Sequence, residues 1–127
     1  MIFGIGTDIV SVGRIEAGLQ RYGERFARRI LTDDEYRGYL KSPRRAGFLA
    51  KRFAAKEAAV KALGLGFRQG LSLHQISVGH NDLGRPELHY SGHAAEFCSR
   101  HGIAGSHVSL ADERDYAVAF VTLLTNK

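Results

Sequence analysis

The stretch Arg52-Phe53-Ala54-Ala55-Lys56-Glu57-Ala58-Ala59-Val60-Lys61-Ala62-Leu63-Gly64 constrains the fold more than any other part of the chain. Alanine, leucine, lysine and glutamate favour a helix, and Gly64 supplies its stop. At helical spacing Leu49, Phe53, Val60 and Leu63 fall on one apolar stripe, so this helix must pack against a core. Lys56 sits in the middle of that stripe, where a surface helix needs no charge. Glu57 and Lys61 lie one turn apart at its edge, with Arg52 on the other side. One carboxylate among several cations suits a site that holds a divalent metal and a polyphosphate together. A structural alternative stands beside it: a Glu57–Lys61 pair one turn apart and a Lys56 stem that snorkels out of the core.

The 127 residues fit one domain, 1–127, long enough for a real core. A net charge of +5 makes an acidic partner or ligand the expectation and leaves nucleic acid, phosphorylated cofactor and acidic protein open. The single Cys98 excludes an internal disulfide, which fits a reducing cytoplasm. The N-terminus has no basic segment and meets Asp8 early, so no signal peptide is expected. No apolar run is long enough for a membrane span.

Along the chain, residues 2–10 read as a strand with Gly4, Gly6, Asp8 and Val10 on one face and Phe3, Ile5, Thr7 and Ile9 on the other. Glycines beside an in-strand carboxylate leave room for a close approach to the backbone. From Ser11 to about Leu31 the period is helical, carried by Ile15, Leu19, Tyr22, Phe26 and Ile30, with Gly23 as a possible break. In a continuous helix Arg14, Arg21, Arg25 and Arg28 share a face. Thr32-Asp33-Asp34-Glu35 is a capping box opening a short helix that ends before Pro43. The central helix spans about Arg45 to Leu63, and Gly64-Leu65-Gly66-Phe67-Arg68-Gln69-Gly70 is a glycine-rich loop. Strands are expected at 75–79 and 87–90 around a turn at Asn81-Asp82-Leu83-Gly84. A helix capped by Ser91 and stopped by Gly102 follows, then strands at 106–111 and 116–124. Helices and strands segregate, which predicts an α+β fold with an antiparallel sheet packed against the long central helix.

Asp8 is the first candidate for chemistry, because a free carboxylate on a glycine-bearing strand face is expensive to bury. A hard cation such as Mg²⁺ would stabilise it; an exposed strand end or a helix N-cap is the alternative. The glycine loop lacks the Gly-Lys-Ser/Thr ending of a Walker motif, and Gly4-x-Gly6 lacks the third glycine of a dinucleotide fingerprint. The histidines at 74, 80, 89, 93, 101 and 107 show no zinc spacing. Glu35 is explained locally by the capping box, and His107 opens an apolar strand.

Taken in order, Gly6-Thr7-Asp8-Ile9-Val10, Arg14-Ile15, Arg29-Ile30-Leu31-Thr32, Phe48 to Ala58, Lys61-Ala62-Leu63-Gly64 and His107 to Glu113 resemble the bacterial holo-[acyl-carrier-protein] synthases. These are 4′-phosphopantetheinyl transferases, and the resemblance covers essentially the whole chain. Ala111-Asp112 departs from the Ser-His that many members carry, so contacts from that turn are not carried over. The resemblance implies Mg²⁺-dependent transfer of phosphopantetheine from coenzyme A to a serine of apo acyl carrier protein, releasing adenosine 3′,5′-bisphosphate, in fatty acid biosynthesis. It implies Asp8 and Glu57 as metal ligands and Glu57 and Lys61 as catalytic residues. Arg52, Lys56, Lys61, Gly64, Gly66 and His107 are implied on coenzyme A. The acidic carrier protein gives Arg14, Arg21, Arg25, Phe26, Arg28 and Arg29 a partner. The family also implies a cytoplasmic homotrimer with active sites between subunits. A small basic nucleic-acid-binding module is the rival reading; it leaves Asp8 and Glu57 unexplained.

Overall fold

The computed structural model describes residues 1–67 and 70–126. In chain order it runs β1 (Ile2–Ser11), α1 (Val12–Tyr22), α2 (Glu24–Ile30), α3 (Asp33–Lys41) and α4 (Arg45–Leu63). A single 3₁₀ turn (Leu73–Gln75) then leads to β2 (Ile76–His80), β3 (Pro86–Tyr90), α5 (Gly92–Arg100), β4 (Ile103–Asp112) and β5 (Tyr116–Thr125). The expected α+β architecture is present. Its strands, however, divide between a three-stranded antiparallel sheet, ordered β1-β5-β4, and a separate β2-β3 hairpin.

The long helix α4 lies on the inner face of the larger sheet. Its expected single stripe is too narrow a description, because Ala50, Ala54, Ala55, Ala58, Ala59 and Ala62 are buried along with Leu49, Val60 and Leu63. The alanines let the helix sit deep, and β1 meets it with glycine. A Cβ built on Gly4 would stand 2.0 Å from the Ala62 carbonyl oxygen, and one on Gly6 would stand 1.9 Å from that of Ala58. The room left by these glycines is therefore filled by the helix. Full burial of Leu49, Val60 and Leu63 contributes about 1.5–3 kcal/mol each.

Local signals set most boundaries. Thr32 accepts from the Glu35 N–H at 3.3 Å and Glu35 Oε1 accepts from the Thr32 N–H at 2.9 Å, closing the capping box. Gly64 ends α4 in the left-handed conformation, its N–H donating to Val60 O and Lys61 O. Asn81 Oδ1 accepts from Leu83 N and Arg85 N and shapes the hairpin turn. Two expectations change. Gly23, at φ 65 and ψ −147, breaks the first helix, so the arginine face is split between α1 and α2. Ser91 does not cap α5 with its side chain; Gln75 Oε1 takes the Ala94 N–H at 3.1 Å instead. Arg68 and Gln69 of the expected glycine-rich loop lie outside the described residues.

The central strand β5 inverts the usual order of sizes. Ala117, Ala119, Val121 and Leu123 face α4 and are fully buried, whereas Tyr116, Val118 and Phe120 point outward. Phe120 pairs with Thr7 and Ser109, and Val118 pairs with Ile9 and Ala111, so their outer side chains form one open face. Ile9 is 64% exposed there and Phe120 46%. Among the described residues, no helix is long and apolar enough to cross a membrane.

Candidate active site

Asp8 follows Gly6 by one pleat on the inner face of β1, at the point where α4 presents Glu57 and Lys61. The strand and helix touch backbone to backbone just behind these groups, so their separation is set by main-chain contact. Lys61 Nζ donates to Asp8 Oδ1 at 2.9 Å and to the Thr7 carbonyl at 3.0 Å. Glu57 is half-buried, and that burial raises its carboxyl pKa above the ordinary value. The neighbouring Asp8 charge adds to the rise and Lys61 opposes it. Two carboxylates close enough to repel thus share one ammonium.

Asp8 and Glu57 open into a cleft of about 560 Å³ whose walls also include Ser11, Arg14, Ile15, Gly18, Phe26, Arg29, Ile30, Phe53 and Leu73. Of the residues expected to meet the carrier protein, Arg14, Phe26 and Arg29 line the same cleft as the carboxylates. Phe26 reaches it over Gly18, where a Cβ would stand 2.5 Å from its ring. Arg25 and Arg21 are exposed, Arg21 beside the Tyr22 ring, and Arg28 stacks 4.0 Å from the centre of the Tyr36 ring.

The remaining expected site residues fall elsewhere. Lys56 is 0% exposed, and its ammonium donates to Glu35 Oε1 at 2.6 Å, Ile30 O at 2.6 Å and Leu73 O at 3.0 Å. All three N–H bonds are taken, so Lys56 neither snorkels outward nor has a proton to offer a phosphate. This corrects its assignment to coenzyme A. Arg52 turns to the same carboxylate, 3.6 Å from Glu35 Oε2, and donates to the Val78 carbonyl. Its guanidinium stacks 4.6 Å from the centre of the Phe48 ring, so the fold does not bring it to the cleft. Gly64 and Gly66 adopt left-handed backbone conformations just beyond Lys61. His107 pairs with Thr122 on the outer face of the sheet, across the sheet from Asp8.

Several cleft residues escaped sequence reading. Ser11 reads as a helix boundary, and its hydroxyl does accept the Arg14 N–H at 3.3 Å. Gly18 carries a weak signal, as a glycine inside a helical period opposite an aromatic. Leu73 carries none, because the 3₁₀ turn that places it has no periodicity.

Among the described residues, no cluster of three or more histidine, cysteine or acidic side chains forms a complete protein cage for a metal. The Asp8–Glu57 pair has the character of a Mg²⁺ site, which takes one or two carboxylates and fills its remaining positions with phosphate oxygens and water. An α+β chain whose cleft sets a pair of carboxylates beside Arg14 and Arg29 is a frame suited to an anionic substrate. The sequence profile of the 4′-phosphopantetheinyl transferase superfamily matches residues 4–121, and the chain belongs to that superfamily. The holo-[acyl-carrier-protein] synthase of Nitrosococcus oceani is 57% identical over 127 residues, spanning 100% of this chain and 82% of the relative. The crystal structure of the enzyme of that name from Neisseria meningitidis superposes with a TM-score of 0.93 at 42% identity, covering 98% of this chain and 100% of that one. The Bacillus anthracis enzyme, solved in complex with CoA (3′,5′-ADP), gives a TM-score of 0.82 at 37% identity, covering 99% of each chain.

Proposed function

We propose that this chain transfers the 4′-phosphopantetheine group of coenzyme A to a serine of apo acyl carrier protein. The observation that carries the reading is the cleft in which Asp8, bonded by Lys61, and Glu57 meet Arg14, Phe26 and Arg29. One end of it is suited to a metal-bound diphosphate and the other to an acidic protein. Mg²⁺, held by Asp8 and Glu57, would supply positive charge beside the diphosphate.

The serine oxygen forms a bond to the phosphorus bearing the pantetheine arm, and the bond from that phosphorus to the adenosine 3′,5′-bisphosphate oxygen breaks. Lys61 offsets the charge that grows on the leaving phosphate. The serine proton passes to Glu57 through a water. Arg14 and Arg29 draw in the acidic carrier and set its register, and Phe26 offers an apolar contact between them.

The outer face of β5 supports a closed homotrimer. Monomeric proteins rarely leave Ile9, Val118 and Phe120 together in water. Further copies covering that face would place His107 near a neighbouring cleft, where it meets the phosphates of coenzyme A. The free, buried thiol of Cys98 fits a reducing cytoplasm.

Intact mass spectrometry tests the reading. Apo carrier protein incubated with this enzyme, coenzyme A and Mg²⁺ should gain the mass of one phosphopantetheine and should gain nothing in EDTA. An unchanged carrier in the presence of Mg²⁺ overturns it.

A further inference from the structure

The lysine next to Glu57 does not touch the cleft, yet it holds the cleft's far wall. That wall is built on α2, which has seven residues, starts at Gly23 without a side-chain cap, and carries Phe26 and Arg29. A helix this short has no stability of its own in water. Its C-terminal carbonyls are gripped from two sides. Lys56 donates to Ile30 O at 2.6 Å, and the His74 Nε2 lies 2.7 Å from Arg28 O. The same Lys56 ammonium holds Leu73 O, so it ties together two residues, Ile30 and Leu73, that line the cleft. Each of its three protons has one acceptor, two of them fully buried and the third, Leu73 O, partly so. A shift of α2 or of the 3₁₀ turn therefore strands a buried donor or acceptor. Because Lys56 precedes Glu57 on α4, the pin and the reacting carboxylate ride on the same turn of helix.

We propose that Lys56 is a positioning residue for the transfer: it fixes α2 and the Leu73 turn relative to Glu57, and so sets how the carrier's serine is presented to the diphosphate. The proposal rests on the transferase reading above. A purely structural ion pair would change stability and the folded fraction but leave the kinetics of folded enzyme alone. A positioning role divides the kinetic constants. Lys56→Met combined with Glu35→Gln removes the charges of the Lys56–Glu35 pair together, and Arg52, which also faced Glu35, keeps its hydrogen bond to the Val78 carbonyl.

In the folded double variant the KM for carrier protein should rise and kcat should fall by on the order of 10²-fold, the cost of a reacting group misplaced by about 1 Å. The dissociation constant for coenzyme A, measured by calorimetry, should stay unchanged. Amide exchange should quicken across α2 and stay slow in α4. Folded variant with wild-type carrier KM and kcat overturns the proposal. If the double variant does not fold, the wild-type Lys56 ammonium resonance decides: saturating carrier should shift it, and an unmoved signal overturns the role. Wild-type enzyme run alongside separates the two ideas. No transfer by wild type removes the transferase reading and this proposal together, whereas active wild type with unaltered variants removes only the role of Lys56.

Discussion

Asp8 and Glu57 stand out in the sequence because neither has a packing reason to be where it is, and the fold brings both to one cleft. Asp8→Asn and Glu57→Gln are each expected to fold and to lose activity by the equivalent of several kcal/mol of transition-state stabilisation. Initial rates across a Mg²⁺ titration check this, and near-normal turnover at limiting Mg²⁺ removes the residue from the metal site. Charge reversal at Arg14 should raise the KM for carrier and leave that for coenzyme A alone, measured at low ionic strength. Glu57 also sets a pH dependence in the metal-free protein. Its folded pKa is raised, so between the ordinary carboxylate value and the raised one the native state binds more protons than the unfolded state. Stability should therefore fall as pH rises through that window. Urea titrations should show the decline in wild type, a smaller one in Asp8→Asn, and none from this group in Glu57→Gln. Lys56 was the residue least legible from sequence. Its partner Glu35 already had a complete local role in the capping box, and nothing local announces that its two oxygens also reach Lys56, Arg52 and the Val78 N–H.

Elements whose ends carry their own chemistry were readable: the capping box of α3, the glycine stop of α4, and the Asn81 turn. The inner face of β1 was readable as special, though not what would fill it, because Gly4 and Gly6 tell of a close approach without naming the approaching partner. The partner is the alanine row of α4. Gly6→Ala should push that helix outward, because its new methyl would meet the Ala58 carbonyl, a backbone atom that cannot swing aside. The expected loss is about 1–3 kcal/mol, the usual cost of overpacking, together with a disproportionate loss of transfer activity as Glu57 moves from Asp8. Denaturant unfolding and single-turnover rates on the same sample check both. Stability reduced with unaltered rates would show that the helix recovers its depth. Connections without periodicity, such as the Leu73 turn and the Gln75 cap of α5, left no pattern to read.

At the scale of the whole molecule β5 is apolar on both sides, and a single chain buries only one of them. In the proposed trimer Phe120→Glu should break the assembly, giving a monomer by sedimentation with little activity. An active monomer would count against shared sites. Mixing Glu57→Gln chains with His107→Ala chains should restore part of the activity, provided that subunits exchange and each variant alone is impaired. The inverted strand also bears on which substitutions the chain can accept over time. An alanine facing α4 is met once, by the helix of its own chain, and a neighbour in that chain can compensate for it. Phe120, in a closed ring of copies, recurs at every symmetry-related position, so one altered codon changes the interface everywhere at once. Symmetry multiplies the penalty or the gain. In the proposed trimer the outward face of β5 would therefore be held to tighter account than its place on the surface of one chain implies.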